Sequence, residues 1–464
     1  MVKPKVIIAS NRLPVNITEE AGKLVLNRSV GGLATALGSV MDMYPMLWIG
    51  WPGLKKKLTK KQLKELRFPD TLVPVTITAK QLKGYYDNLA NGMLWPIMHG
   101  IKPTRLSTKT DWESMEEVTT HFADAIQQNR EDQDVIWVHD YHLVLLPKML
   151  RDQGVQSRIG FFLHTPFPPA KVLFKWRRYK HMLESLSQVD VLGFQTERDV
   201  ANFKECLSQA GLKMRSGGIV RAFPIGIDFK AYQAAVKIGD VSMYLRKLHK
   251  TITGKKVILS VSRLDYTKGI IEQLKATEKV IEDYGPSKVI YKLVVSPSRE
   301  TVDEYRKLKE EIDDTVDTIN SRFLEKHGVA PIEFAYRTHG FEELNAWYRS
   351  ADILLVTPKI DGMNLVVKEY IAARDDERGA IVLSETIGAA FQLKDAILVD
   401  PLNVSDIAYG IGYALKMPAL ERIRRWRKLR KNVRQENIFW WTKEFLDQLI
   451  EKSSKQEARS LKDK

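Results

Sequence analysis

One stretch, Ile353 to Ala373, restricts the fold of this chain more than any other. It begins with a short aliphatic run, Ile353 to Val356, of the kind that forms a buried parallel strand. A turn through Gly362 follows, and apolar residues then recur at helical spacing, so we predict a helix that begins near Met363. A strand, a glycine turn and a helix in this order make one β–α unit of a parallel sheet.

The start of that helix is a candidate anion site, because unpaired backbone N–H groups at a helix N-terminus can point at one ligand. Asp361 follows the strand, at the sheet edge where open parallel sheets bind ligands, and Glu369 lies within reach of a ribose. We interpret the stretch as the binding site for the diphosphate of an activated sugar, although an ordinary strand-to-helix turn explains it equally well. The backbone N–H groups in question belong to Gly362, Met363, Asn364 and Leu365.

The chain has 464 residues, which is too long for one hydrophobic core, so two α/β domains are expected. One series of aliphatic strands ends with Phe223–Asp228, and a second series begins after the charged residues 230–254, where we place the hinge. We predict a doubly wound domain over residues 1–235 and another over residues 236–438. We predict that Glu421 to Ile450 is helical, and we expect residues 439–464 to form a C-terminal helix that packs back on the first domain and ends in a disordered tail.

Polar residues follow several strands of the first domain. Asp140 follows the strand Val135–Val138, and His164 follows Ile159–Leu163. We interpret both as hydrogen-bonding partners of sugar hydroxyls. A histidine metal site is an alternative, as is a glycosidase in which Asp140 pairs with Asp361. In the same domain, Tyr85 to Pro96 is predicted to be a helix that stops near Trp95–Pro96.

Cations also follow strands. Arg263 and Lys268 come after the first strand of the second domain, and Arg299 comes after the next one. Arginine can bind two phosphate oxygens in a fixed geometry, whereas lysine acts as a mobile point charge, so Arg263 and Lys268 together suit a diphosphate. The alternative is a surface loop in which Arg263 pairs with Asp265. Arg12 stands at the corresponding place in the first domain, and Arg12 and Arg299 facing each other across a cleft would hold a second anionic group, such as a sugar phosphate.

The overall composition narrows the class of protein. Lysine and arginine number 72 against 57 acidic residues, a net charge of +15, and three basic clusters resemble solvated helix faces. No nucleic-acid-binding motif accompanies them, so we expect no nucleic-acid partner. Cys206 is the single cysteine, which excludes a disulfide framework and a multi-cysteine metal site. No apolar run is long enough to span a membrane, and we expect a cytoplasmic protein.

Twelve motifs together give a specific resemblance, in order from about residue 7 to residue 390. They are SNRLPV, SVGGL, WIGWPG, the YY…LWP run, VHDYHL, IGFFLHTPFP, LGFQTE, PIGID, SRLDYTKG, PSR, VTP..DGMNLVVKEY and LSETIGAA. With these motifs the chain resembles the trehalose-6-phosphate synthase family of retaining glucosyltransferases. The resemblance implies a GT-B architecture, with two facing Rossmann-like domains and an interdomain cleft. It also implies transfer of glucose from a nucleotide sugar, commonly UDP-glucose, to glucose 6-phosphate, with no metal and no cofactor.

Carried over position by position, the resemblance implies a role for each candidate residue. The acceptor would be held by Arg12, Tyr86, Trp95, Asp140 and Arg299. The donor would be held by Gly32, His164, Arg263, Lys268, Asp361, Glu369 and the main chain of Gly362, Met363, Asn364 and Leu365. The catalytic set would be Asp140, His164, Arg263, Lys268 and Asp361.

Some positions depart from the family pattern. Ile360 stands where arginine is usual, Ser262 replaces an acidic residue, and Phe391 stands where asparagine is common. These departures leave open the donor base and the acceptor, which could be another phosphorylated compound such as glycerol 3-phosphate. A catalytically silent sensor of sugar phosphate is a further alternative. We expect a synthase without a phosphatase domain, and a homo-oligomer is possible.

Overall fold

The structure, a computed structural model, describes residues 4–28, 37–103, 106–299 and 302–460, and gives only the backbone of residues 451–460. The chain divides into two compact units. Unit 1 comprises Met1–Ile225 and Ile438–Lys464, and unit 2 comprises Gly226–Asn437.

The first boundary lies at Ile225 rather than at the predicted residue 235. The helix Phe229–Ala234 belongs to unit 2 because its first residue packs against that unit's arginines. The guanidinium of Arg430 lies 4.8 Å from the centroid of the Phe229 ring, and Arg349 donates a hydrogen bond of 3.0 Å to the carbonyl of Gln233. This stretch is charged and lacks a strand, so the sequence carried no signal for these contacts.

Unit 1 contains a seven-stranded parallel sheet in the order β5-β4-β1-β6-β7-β8-β9. A separate antiparallel hairpin, β2–β3, turns through Ala21 and Gly22, which both have positive φ, and the sequence analysis missed it. The strands are β1 (Val6–Arg12), β2 (Val15–Glu20), β3 (Lys23–Arg28), β4 (Met46–Trp51), β5 (Leu72–Pro74), β6 (Val135–His139), β7 (Ile159–Phe162), β8 (Val191–Phe194) and β9 (Ile219–Ala222).

Two predictions for unit 1 are wrong. The helix does not stop at Pro96, because proline falls in the first turn of the segment Trp95–Met98, where its missing N–H is not needed. The residues 223–228 form no strand, since the N–H of Ile225 donates to the Gln195 side chain instead of a neighbouring strand. The helices of unit 1 are Lys60–Glu65, Ala79–Gln81, a π-helix Leu82–Leu94, Trp95–Met98, Lys109–Asn129, a 3₁₀ turn Tyr141–Leu143, Leu146–Asp152, Ala170–Leu173, Tyr179–Ser187, Glu197–Gln209 and Ile438–Ser460.

The C-terminal helix Ile438–Ser460 is part of the core of unit 1. Phe445 is fully buried and stacks on Trp137, with ring centroids 4.8 Å apart. Gly160 and Gly193 make room for this ring, because a Cβ at either position would lie within 2.8 Å of it. The predicted helical segment Glu421–Ile450 consists of two helices, separated by residues 436–437 at the unit boundary.

Unit 2 contains a six-stranded parallel sheet in the order β12-β11-β10-β13-β14-β15. Both sheets are parallel, and in each the strand order reverses beside the first strand, which confirms the predicted class of two Rossmann-like domains. The strands are β10 (Lys256–Arg263), β11 (Val289–Ser296), β12 (Ile332–Tyr336), β13 (Ile353–Val356), β14 (Ala380–Ser384) and β15 (Ile397–Val399).

Helices cover the sheet of unit 2, and its core lies between them and the strands. In the part of the chain that the structure describes, none of the helices combines the length and the apolar character that a membrane crossing requires. The helices of unit 2 are Phe229–Ala234, a 3₁₀ turn Ala235–Lys237, Gly239–Ile252, a 3₁₀ turn Tyr266–Lys268, Ile270–Tyr284, Asp303–His327, Phe341–Ser350, Leu365–Ala373, Gly388–Gln392, Val404–Lys416 and Ala419–Gln435.

The point where the strand order reverses is the same in both units. In unit 1 the first strand, β1, pairs with β4 on one side and β6 on the other. In unit 2 the first strand, β10, pairs with β11 and β13. The connections leave such strands in opposite directions, so a crevice opens at their carboxyl ends, and ligands of open parallel sheets bind there.

The turn after β6 has an unusual backbone. Asp140 has φ 72° and ψ 164°, a region that is essentially restricted to glycine. The turn is held by hydrogen bonds from the N–H of Asp140 to the carbonyl of Phe162, 2.8 Å, and from the N–H of Leu143 to the carbonyl of Asp140, 3.1 Å. The surrounding sheet therefore imposes a conformation that an aspartate does not prefer.

We expect Phe445→Ala to destabilise unit 1 by about 3–5 kcal/mol, because it leaves a cavity against Trp137. The free energy of unfolding from a urea titration measures the loss. Leu420→Ala is the control, since that side chain is 84% exposed and its removal should change stability by no more than about 0.5 kcal/mol. Equal stabilities for the two variants would show that the C-terminal helix does not support the core.

We expect Asp140→Gly to be more stable than Asp140→Ala by about 1–2 kcal/mol. Both variants remove the same carboxylate, and only glycine relieves the backbone strain. Urea unfolding of the two variants side by side gives the difference. An alanine variant as stable as the glycine variant would mean that the turn imposes no strain.

Candidate functional site

In unit 2, candidate residues follow the two strands at the reversal point. Lys268 lies in the turn after β10, and Asp361 lies in the loop after β13. Lys268 Nζ is 2.7 Å from Asp361 Oδ2, and the two side chains are 10% and 18% exposed. The Asn364 side-chain amide donates a longer hydrogen bond, 3.3 Å, to the same carboxylate oxygen. The ion pair thus holds both side chains at the carboxyl end of the sheet.

The other two candidate cations of unit 2, Arg263 and Arg299, lie around the buried carboxylate of Asp265. Asp265 is 1% exposed, and Arg299 Nη1 is 3.4 Å from its Oδ2. Burial pushes the pKa of Asp265 up, but the charges of Arg299, Lys268 and Arg263 outweigh burial and hold that pKa below its usual value. Arg263 itself is exposed at the end of β10. The three predicted phosphate-binding cations therefore share one electrostatic environment.

The loop before the helix Leu365–Ala373 packs tightly against the N-terminus of the helix Gly388–Gln392. The N–H of Gly388 donates to the carbonyl of Asp361, 3.2 Å, and the N–H of Ala389 donates to the carbonyl of Met363, 3.0 Å. A Cβ at Gly388 would lie 1.8 Å from the carbonyl oxygen of Gly362, so only glycine allows this approach. The main chain at Gly362 and Met363 is therefore fixed.

The helix begins at Leu365, two residues later than predicted. Asn364, with φ 84°, is the N-cap, and its Oδ1 accepts the N–H of Val367 at 3.3 Å. A side-chain cap of this kind starts a helix on the residue after it. It satisfies one of the N-terminal N–H groups and leaves the positive end of the helix dipole beside Asp361 and Lys268.

Glu369 lies in the second turn of this helix and is half-buried. The hydroxyl of Tyr348 donates to Glu369 Oε2 at 2.7 Å. Burial raises the pKa of Glu369, while the hydroxyls of Tyr348 and Tyr232 act in the opposite direction. Neither tyrosine could be predicted from the sequence, because both lie far from Glu369 in the chain and carry no motif.

In unit 1, Arg12 ends β1 at the reversal point. Its guanidinium lies 4.1 Å from the centroid of the Trp51 ring, and Nη1 donates to Asn16 Oδ1 at 3.2 Å. The ring and the amide fix the direction of the side chain without neutralising its charge. Arg12 is therefore a preorganised cation at the carboxyl end of β1.

Asp140 and His164 follow the neighbouring strands β6 and β7 and are close together. Asp140 Oδ1 accepts the backbone N–H of His164 at 3.2 Å. The ring of His164 meets the ring of the fully buried His139, with 3.1 Å between His139 Nδ1 and His164 Nε2. Burial lowers the pKa of His164 to about 3 and that of His139 well below its usual value, so both imidazoles are neutral at physiological pH.

Tyr86 and Trp95 come from the helical stretch between β5 and the long helix Lys109–Asn129. Tyr86 stacks on His142, which follows Asp140 in the turn after β6, with ring centroids 5.7 Å apart. Trp95 is 6% exposed, and its ring centroid lies 5.9 Å from that of Tyr141 in the same turn. Both aromatic side chains therefore contact the turn that contains Asp140.

The structure thus forms two groups of candidate residues. Unit 2 holds Arg263, Lys268, Arg299, Asp361, Glu369 and the main chain from Gly362 to Leu365, and unit 1 holds Arg12, Tyr86, Trp95, Asp140 and His164. Gly32 lies outside the described residues. Among the residues that are described, no three histidine, cysteine, aspartate or glutamate side chains are arranged to hold a metal ion.

Comparison with known proteins gives matches along nearly the whole chain. A relative in Thermoproteus tenax, a bifunctional trehalose-6-phosphate synthase/phosphatase, is 34% identical over 477 aligned residues that cover 98% of this chain. This chain spans 64% of the length of that relative.

Solved structures match the fold as well. An α,α-trehalose-phosphate synthase (UDP-forming) from Burkholderia xenovorans, in complex with glucose 6-phosphate, has a TM-score of 0.87 at 30% identity and covers 96% of this chain and 100% of its own. A structure from E. coli bound with UDP-2-fluoro glucose has a TM-score of 0.85 at 30% identity and covers 96% of this chain and 99% of its own. The model of glycosyltransferase family 20 matches residues 4–451. The chain therefore belongs to glycosyltransferase family 20.

Proposed function

We propose that the chain is an α,α-trehalose-phosphate synthase. It transfers glucose from UDP-glucose to glucose 6-phosphate, with retention of configuration, and gives trehalose 6-phosphate and UDP. The relatives support the choice of both substrates, because one solved structure is in complex with glucose 6-phosphate and another is bound with UDP-2-fluoro glucose.

One observation carries the proposal: the grouping of three cations against two carboxylates at the reversal point of unit 2. Arg263, Lys268 and Arg299 surround Asp265, and Lys268 also pairs with Asp361. The helix Leu365–Ala373 adds the positive end of its dipole at the same place. A glycosidase has no use for this excess of positive charge, whereas a diphosphate leaving group (Arg263 and Lys268) and a phosphorylated acceptor (Arg299) need it.

In the proposed mechanism the acceptor hydroxyl attacks the anomeric carbon from the face that the diphosphate leaves. The bond from the anomeric carbon to the diphosphate oxygen breaks, the bond to the acceptor oxygen forms, and the acceptor's proton passes to the departing diphosphate. Arg263, Lys268 and the helix N-terminus stabilise the negative charge that builds on the diphosphate. Because Lys268 is already paired with Asp361 and the helix start is capped by Asn364, these two groups need little reorganisation during the reaction.

We propose that the candidates of unit 1 serve the acceptor. Arg12 supplies a cation for its phosphate, and the rings of Tyr86 and Trp95 supply surfaces for the sugar. Asp140 accepts a hydrogen bond from an acceptor hydroxyl next to the reacting one. His164 is neutral, so it can hydrogen-bond a hydroxyl of the donor glucose without opposing the positive charge that develops on the sugar.

Two assignments complete the proposal. We place the protein in the cytoplasm, where phosphorylated sugars and nucleotide sugars are available as substrates. A homo-oligomer of the same chain is possible. Cys206, the single cysteine, is buried, and burial raises its pKa to about 12, so its thiol does not favour intermolecular disulfides.

Arg263→Ala should lower the turnover number by about 100-fold or more, since it removes a positive group that stabilises the leaving diphosphate. Release of UDP from UDP-glucose and glucose 6-phosphate measures the effect. Arg306→Ala is the matched control, because that arginine lies in the same unit, is 57% exposed and pairs only with Asp303 and Glu310 among the described residues. Turnover by Arg263→Ala that equals the control would contradict the mechanism.

Product identification tests the activity itself. We expect trehalose 6-phosphate and UDP from UDP-glucose with glucose 6-phosphate, and no UDP release with glycerol 3-phosphate. The same assay with ADP-glucose and GDP-glucose determines the donor base. Binding of both substrates without any product would favour a sensor, and product from glycerol 3-phosphate would favour a different synthase.

A further inference from the structure

We propose that Tyr232 and Tyr348 are positioning residues that orient the carboxylate of Glu369 toward the ribose of the donor nucleotide. The inference rests on the proposed function, since it takes Glu369 as the group that meets the ribose. It adds two residues from different parts of the chain to the nucleotide site of unit 2.

The geometry comes from three helices that pack together. Glu369 lies on Leu365–Ala373, Tyr348 on Phe341–Ser350 and Tyr232 on Phe229–Ala234. The latter two helices both pack on the first. Tyr348 is fully buried and Tyr232 is 9% exposed, whereas Glu369 is only half-buried.

Both phenols act as donors. Burial raises the pKa of Tyr348 and of Tyr232, and the charge of Glu369 raises both further, so the two hydroxyls stay protonated. An ionised carboxylate can only accept hydrogen bonds. Tyr348 therefore donates to Glu369 at 2.7 Å, and the protonated hydroxyl of Tyr232 favours the charged form of the same carboxylate.

The carboxylate of Glu369 keeps positions that can accept hydrogen bonds from a ligand. A carboxylate offers about four lone-pair positions, and the phenol of Tyr348 occupies one of them. The remaining positions are sufficient for the 2′ and 3′ hydroxyls of a ribose, which can both donate. The buried donor also restricts the rotation of the Glu369 side chain, so less entropy is lost when the ribose binds.

Tyr370 provides a matched control on the same helix. It is fully buried, and its hydroxyl donates to the carbonyl of Ala351 at 3.0 Å rather than to Glu369. Tyr370→Phe therefore makes the same chemical change, the loss of one buried hydroxyl, without touching the carboxylate.

The experiment is a calorimetric comparison of UDP with 2′,3′-dideoxyuridine diphosphate, which lacks both ribose hydroxyls. The proteins are wild type, Tyr348→Phe, Tyr232→Phe and Tyr370→Phe. We expect wild type and Tyr370→Phe to prefer UDP by about 10-fold or more, the effect of hydrogen bonds to a charged group. Tyr348→Phe and Tyr232→Phe should each lower that preference several-fold. The double variant should lower it further.

The ratio of the two affinities separates positioning from stability. A purely structural role would lower the melting temperature of a variant and leave its preference for the ribose unchanged, which would overturn the inference. Turnover of UDP-glucose by the wild-type protein is measured in parallel. If the wild type is active and the variants keep the ribose preference, only the positioning role is overturned and the proposed function stands. If the wild-type protein binds ADP or GDP instead of UDP, the comparison uses that nucleotide and its own 2′,3′-dideoxy analogue. Failure of wild type to bind any of the three would overturn both proposals.

Discussion

Each unit of this protein depends on the hydrogen bonding of its first strand to two neighbours, one from each half of its sheet. Ser10 of β1 pairs in register with His139 of β6, and Leu259 of β10 pairs with Leu354 of β13. Because of these pairings, the loops that follow the paired strands lie next to each other. Asp140 follows β6 directly, and Lys268 and Asp361 meet beyond β10 and β13. The backbone ladder thus positions the chemical groups, and side-chain contacts refine their directions.

The electrostatics of unit 2 follow from that placement. A cation at a sheet edge loses hydration, and a carboxylate beside it compensates this cost. Lys268 has Asp361, and Arg299 has Asp265, which is almost completely buried. The pairs hold the cations in position before a ligand arrives, and a diphosphate has only to share them. The same pairing limits the excess positive charge, so the site favours a dianion without binding it irreversibly.

Much of this arrangement could be predicted from the sequence. Aliphatic runs followed by polar residues identified the strands, and their order along the chain identified two doubly wound sheets, as the strand orders confirm. Short sequence patterns gave no correct prediction where the structure depends on contacts between residues far apart in the chain. The extended residues 223–228 look like a strand, but the N–H of Ile225 donates to the Gln195 side chain. Tyr232 and Tyr348 reach Glu369 only because three helices pack together, and no local pattern encodes that packing.

Backbone strain gives independent support to the placement of the sites. Among the described residues, six that are not glycine have positive φ, and three of them, Asp140, Arg299 and Asn364, are candidate site residues. Each such conformation costs about 1–3 kcal/mol and persists only where the surroundings impose it. Asp140 is held between β6 and the turn that follows, and Asn364 caps the helix after β13. Glycine would suit the backbone of Asp140 better, whereas the side chain of Asn364 also serves its helix as the cap. The strained aspartate is therefore a reason to look for chemistry at the carboxyl end of β6, beside the reversal point of unit 1.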